Sequence, residues 1–160
     1  MPADNATART STAPATPKAE RPSLAAYAHV SSFTTRWMDN DVYGHVNNVT
    51  YYSYFDSVAN AYLIEAGGLD IHTSPVIGLV VESGCRYHAP VAYPARLRAG
   101  LRVDRLGNRA VTYGLAIFTE DDELAVADGH VVHVFVDRET RRPTAIPDPI
   151  RDALARLVRA

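Results

Sequence analysis

The chain predicts an α+β fold in which a curved antiparallel β-sheet wraps around one long central α-helix. Two observations lead there. The segment from Asn48 to Ala66 carries Tyr51, Phe55, Val58 and Tyr62 at helical spacing, and Tyr52, Tyr54, Ala61 and Ile64 make its other faces apolar too. Beyond it the apolar period falls to two, with Leu97, Ala99, Leu101 and Val103 alternating with Arg98, Gly100, Arg102 and Asp104. Strands with one apolar face need a cover, and the 48–66 helix is the one large apolar element that can supply it.

The other elements follow in order. His29 to Trp37 is the expected first strand. Asn47 or Asn48 caps the helix, and Gly67-Gly68 supplies the left-handed residue that ends it. Val76 to Tyr87 reads as the next strand, closed by a turn at Ala89-Pro90. Gly107-Asn108 makes a hairpin turn, after which Val111, Tyr113, Leu115 and Ile117 resume the alternation. The acidic turn at residues 120–123 leads into a longer strand, Leu124 to Val136. Ile150, Leu154 and Leu157 place a short closing helix over Pro149 to Val158.

A length of 160 residues suits one domain, expected over residues 27–160. Residues 1–26 are rich in Ala, Thr and Pro and nearly free of large apolar side chains, so they read as a disordered tail. The tail has no apolar core for a secretory signal, and its prolines and acidic residues argue against a transit peptide. Sixteen Lys and Arg against eighteen Asp and Glu leave a net charge of −2, which disfavours a nucleic-acid or anionic-membrane binder. No apolar run approaches the ~20 residues that cross a bilayer. A single cysteine, Cys85, excludes an internal disulfide and any zinc site with two thiolates. A reducing, cytoplasmic location is the expectation.

The densest local signal precedes the long helix. Residues 36–51, RWMDNDVYGHVNNVTY, set Asp39 and Asp41 ahead of a helix start, with Gly44 permitting a tight turn and His45, Asn47 and Asn48 crowding polar groups there. Free N–H groups at that helix end suit negative charge. A nearby carboxylate can act as general base or nucleophile while those N–H groups hold an oxyanion on an acyl carbon. The plainer alternative makes both aspartates loop and capping residues.

The run from Asp41 to Tyr51, followed by an aromatic-rich helix, resembles the signature of hotdog-fold acyl-CoA thioesterases of the 4-hydroxybenzoyl-CoA thioesterase type, in their GHVN-motif branch. Tyr87-His-Ala-Pro90, the Gly107-Asn108 hairpin and Val134-Phe-Val-Asp137 fit the same layout, so the likeness spans about residues 29–147. It implies hydrolysis of a thioester to a free acid and a thiol without metal or redox cofactor. Asp41 matches the family's catalytic carboxylate, which either activates water or attacks the thioester to give a mixed anhydride. The backbone N–H of Asn48 becomes the candidate for polarising the carbonyl. Asn47 would orient the attacking water, His45 would brace the loop, Gly44 would leave room for the acyl chain, and Tyr51 would wall the pocket. Asp39 is read as structural. The resemblance also implies a homodimer or homotetramer with the site between subunits.

Other residues carry less. His130 and His133 stand three apart on a strand and so face opposite ways, which speaks against a metal pair. Cys85 lies in an apolar strand with no motif around it, and Ser83 lacks the elbow of an α/β-hydrolase. Glu82 reads as a solvated edge carboxylate. Arg96, Arg98, Arg102, Arg105 and Arg109 either grip coenzyme A phosphates or form a solvated strand face. An acyl-carrier-protein thioesterase and a non-catalytic acyl-CoA binding or sensing protein are the rival functions, and Asp41 counts against the second.

Overall fold

A computed structural model describes residues 20–158. Five strands, β1 (His29–Thr34), β2 (Val76–Tyr87), β3 (Arg96–Leu106), β4 (Ala110–Thr119) and β5 (Ala127–Asp137), form one antiparallel sheet in the order β1-β3-β4-β5-β2. Helix α1 (Thr50–Glu65) packs on the inner face, and α2 (Asp148–Ala155) closes its far end. Among the described residues no helix is long and apolar enough to cross a membrane.

The alternation on β3 is realised as written: Leu97, Ala99, Leu101 and Val103 are all buried against the helix. From α1, the side chains of Tyr51, Tyr54, Phe55, Val58, Ala59, Tyr62 and Leu63 meet them. Each such large apolar side chain stabilises the fold by about 1.5–3 kcal/mol relative to exposure. The helix is not buried all round, although the apolar residues on its several faces suggest that it would be. Ser53, Asp56, Ser57, Ala61 and Ile64 lie exposed, because one chain's sheet wraps only one side of the helix. Its end follows expectation: Gly68 takes φ +68°, and the Leu69 N–H returns to the Leu63 carbonyl at 3.1 Å.

Two boundaries differ from the sequence reading. The first strand stops at Thr34, because the chain turns through a 3-10 turn at Trp37–Asp39 and carries both aspartates toward the helix start. Residues 20–26 were expected to belong to the tail, but they are in place; the rest of that tail lies outside the described residues. Arg21 donates to the carbonyls of Leu124 and Ala125 at 2.8 Å and pairs with Asp122 at 2.7 Å. Tyr27, just beyond, is buried on the outer face of the sheet with Ala116, Phe118 and Ala125. Gly100 makes room for it, since a Cβ there would sit 2.5 Å from the Tyr27 ring. A small second core therefore covers part of the outer face, which composition alone could not reveal.

Candidate active site

The segment between β1 and α1 is tied at every step. Asp39 is buried, and its Oδ2 accepts hydrogen bonds from the Tyr54 hydroxyl at 2.6 Å and the Arg36 N–H at 2.8 Å. The Arg36 guanidinium reaches Oδ1 at 2.9–3.0 Å. Burial pushes the Asp39 carboxyl up, but these hydrogen bonds outweigh it and hold the group below its ordinary value. The Asp39 carbonyl in turn accepts the Asn47 N–H at 2.8 Å. Asp39 is thus a buried strut with its capacity filled from its own neighbourhood.

Asp41 is different: half-buried, with Oδ1 accepting the Tyr43 N–H at 2.8 Å in a local turn. Among the described residues nothing pairs with its Oδ2, so the carboxylate is oriented by one oxygen and open at the other. The loop it begins closes through Asp41 N–H to the His45 carbonyl at 2.9 Å and Gly44 N–H to the Asp41 carbonyl at 3.1 Å. Gly44 has φ +84°, a conformation that disfavours any side chain, and this requirement accounts for the glycine.

At the helix start, Asn47 Oδ1 accepts the Val49 N–H at 3.1 Å in a local turn, but the N-cap of α1 is Val49, so neither Asn47 nor Asn48 caps the helix as the sequence suggested. The Asn48 N–H has no acceptor among the described residues. The Asn48 carbonyl accepts the Tyr87 hydroxyl at 2.8 Å, and the Val46 N–H donates to the Val91 carbonyl at 2.7 Å. The end of β2 and the loop after it therefore form the second wall of the site.

Between these walls lies an open cavity of about 380 Å³ lined by Asp41, His45, Asn48, Tyr51, Tyr87 and His88 among others. Of the residues singled out in the sequence, Asp41, His45, Asn48 and Tyr51 meet there, whereas Gly44 and Asn47 do not line it. Tyr51 is buried and packs edge-on to Tyr54 and Tyr87, with ring centroids 5.9 and 5.3 Å apart. Burial pushes its phenol up to about 12, so Tyr51 stands in the wall as a neutral hydroxyl at neutral pH.

Tyr87, His88 and Asp128 escaped the sequence reading as site residues. Tyr87-His-Ala-Pro ending a strand was visible, but nothing in it told which element that strand end would touch. Buried Asp128 meets Arg86 at 2.5 Å and His88 Nε2 at 2.6 Å. The remaining candidates fall outside the cavity lining. His130 pairs with exposed Glu82 at 2.9 Å, while His133 is buried on the opposite face of β5, as strand geometry requires. Cys85 is half-buried on β2, with its thiol raised by burial. Arg98 and Arg102 are engaged with Glu123 and Asp104. Among the described residues no group of three or more His, Cys, Asp or Glu side chains is placed to hold a metal ion.

Five antiparallel strands curved around one long helix define the hotdog fold, and a carboxylate loop meets the helix start here. Residues 35–154 match the family model described as the thioesterase-like superfamily, and the chain belongs to that superfamily. It is similar to the PA5185 protein of Pseudomonas aeruginosa, with 58% identity, TM-score 0.86, and 88% of this chain and 98% of that one covered. It is also similar to PA2801 of the same organism, described as a putative thioesterase, with 32% identity, TM-score 0.74, and 79% and 98% covered. A 1,4-dihydroxy-2-naphthoyl-CoA thioesterase from Synechocystis shares the fold at 16% identity and TM-score 0.71, with 79% and 94% covered. No curated protein matches the chain. Superfamily membership supports thioester hydrolysis as the general activity.

Proposed function

We propose that the chain is an acyl-CoA thioesterase in which Asp41 is the catalytic carboxylate and the Asn48 N–H is the oxyanion donor. The observation that carries this reading is their meeting on one cavity, each with its reactive group uncommitted. Asp41 keeps Oδ2 open while Oδ1 is fixed by Tyr43, and the Asn48 N–H has no other acceptor among the described residues. As general base, Asp41 takes a proton from water as the water oxygen adds to the thioester carbonyl carbon. As nucleophile, its oxygen forms a mixed anhydride, which water then opens. In either course the electron pair pushed onto the carbonyl oxygen is met by the N–H, and the C–S bond breaks to release the thiolate of coenzyme A. A thioester is already activated, so a carboxylate and a preorganised donor suffice for this chemistry.

The active form is a homodimer or homotetramer with the site between subunits. Support comes from large apolar side chains left exposed around the loop: Trp37 is 83%, Val42 95% and Tyr43 85% accessible in the single chain. Strand β2, which forms the cavity wall, is also an open sheet edge with Val80 and Val81 exposed.

The test is free-thiol release from a panel of short, medium, long, branched and aromatic acyl-CoAs, with wild type beside Asp41→Asn at matched concentration. Wild-type turnover that falls about 10²–10⁴-fold in the variant is the expected result, the range that a positioned acid-base group contributes. Undiminished turnover in Asp41→Asn would remove the assignment.

A further inference from the structure

Strand β2 ends in a tripeptide that grips both faces of the sheet. Alternation along a strand sends Arg86 and His88 to one face and Tyr87 to the other. On the outer face, Arg86 and His88 both hold the carboxylate of Asp128, which is buried, at 2.5 and 2.6 Å. On the inner face the Tyr87 ring packs edge-on to Tyr51, and its hydroxyl donates to the Asn48 carbonyl at 2.8 Å. That carbonyl belongs to the residue whose N–H is the oxyanion donor in the proposed mechanism.

We infer that Tyr87 is a positioning residue for this reaction: its hydroxyl fixes the 48–49 peptide and so restrains, across the Asn48 Cα, the 47–48 peptide that carries the donor N–H, with Asp128 holding the tripeptide that bears Tyr87. The inference rests on the thioesterase reading and goes beyond it by adding two residues outside the Asp41–Tyr51 motif. The physical need is plain. Asn48 lies before the first turn of α1, so no helical hydrogen bond fixes its carbonyl. The Asn48 side chain makes no bond among the described residues, and the Asn47 side chain is occupied with the Val49 N–H. The Tyr87 hydroxyl is thus what restrains the Asn48 carbonyl, with Val46 N–H to Val91 carbonyl fixing the chain two residues earlier. The 47–48 peptide is held at its own carbonyl by the Thr50 N–H at 2.9 Å, and the Tyr87 bond adds the restraint on the other side of the Asn48 Cα. A donor that must meet a developing oxyanion loses its advantage if that residue can swing away.

The experiment compares full-length wild type, Tyr87→Phe and Asp128→Asn on the acyl-CoA that wild type hydrolyses fastest, measuring kcat and KM separately beside melting temperature. Tyr87→Phe keeps the ring and its packing on Tyr51 and loses only the hydroxyl. The expected result is a kcat lowered about tenfold to a hundredfold with KM little changed and melting temperature preserved. Amide hydrogen exchange at Val49 and Thr50, whose N–H groups bond back to Asn47, should quicken in the same variant. Asp128→Asn should lower kcat in the same sense while leaving the Tyr87 hydroxyl in place. An unchanged kcat in Tyr87→Phe, with wild type active, would overturn this inference and leave the thioesterase reading standing. A kcat loss matched by a fall in melting temperature would make Tyr87 structural and overturn it too. No thiol release by wild type across the panel would remove the reading and the inference together.

Discussion

The Tyr54 hydroxyl donates to Asp39 Oδ2 at 2.6 Å, joining the buried face of α1 to the loop that leads into the same helix. The bond spans fifteen residues and locks the approach of the Asp41 loop against the helix it precedes. Without it, Arg36 alone would serve a carboxylate that is almost fully buried.

Tyr54→Phe is therefore expected to destabilise the fold by about 1–3 kcal/mol at neutral pH, the cost of removing a partner from a buried charged acceptor. The pH dependence carries a sign. The Asp39 carboxyl is held below its ordinary value in the folded state, so its contribution is present above the unfolded value of about 4 and fades as pH falls through the folded value. The gap between wild type and Tyr54→Phe in urea unfolding should narrow below about pH 4. A gap that stays constant with pH would show that Asp39 is not what Tyr54 stabilises.

His133 gives the opposite kind of titration. It is 1% exposed, its ring packs edge-on to Tyr113 at 5.1 Å, and its Nδ1 has no partner among the described residues. Burial pulls its imidazole below its ordinary value, and the Asp56 carboxylate offsets part of this. The unfolded chain then binds a proton that the folded chain refuses, so stability falls as pH drops below about 6.5. His133→Leu should flatten the decline in melting temperature between about pH 6.5 and 5. An unaltered slope would assign the acid sensitivity elsewhere.

Tyr113 is fully buried with its hydroxyl unpartnered among the described residues. Removing a buried, unsatisfied polar group relieves its desolvation cost, so Tyr113→Phe should leave stability unchanged or raise it by about 1 kcal/mol. A loss of more than about 1 kcal/mol on urea unfolding would show that the hydroxyl is bonded in solution.

Gly129 lies where β5 passes closest to both β2 and α1. A Cβ there would sit 2.0 Å from the Gly84 carbonyl oxygen and 2.9 Å from the Phe55 ring. The carbonyl belongs to a paired strand and cannot step aside, so Gly129→Ala should cost about 3 kcal/mol or more and loosen β2 along its pairing with β5. Thermal unfolding measures it, and a variant as stable as wild type would show that the two strands separate easily there.

Much of this fold was legible before any coordinates. The two-residue period of 97–103 and 111–117 is imposed by the pleat itself, and every apolar residue named in it is buried. The helix was legible for the same reason, since Tyr51, Phe55, Val58 and Tyr62 lie on one stripe. Its exposed side was not, because Ala61 and Ile64 are apolar whether or not anything covers them. The ordered stretch at 20–26 was hidden as well: Arg21 gains its meaning from carbonyls about a hundred residues away.

The site divides along the same line. Local sequence determined the Asp41 turn, the glycine within it and the Asn47 turn that leads into α1, because these are interactions between residues a few positions apart. Tertiary structure alone decided that Tyr54 would hold Asp39, that Tyr87 would reach the Asn48 carbonyl and that Asp128 would anchor the strand end. Those contacts join residues fifteen to forty-two positions apart. They exist because the sheet order sets β2 beside β5 and brings its end to the start of α1, and no spacing along the chain encodes that approach.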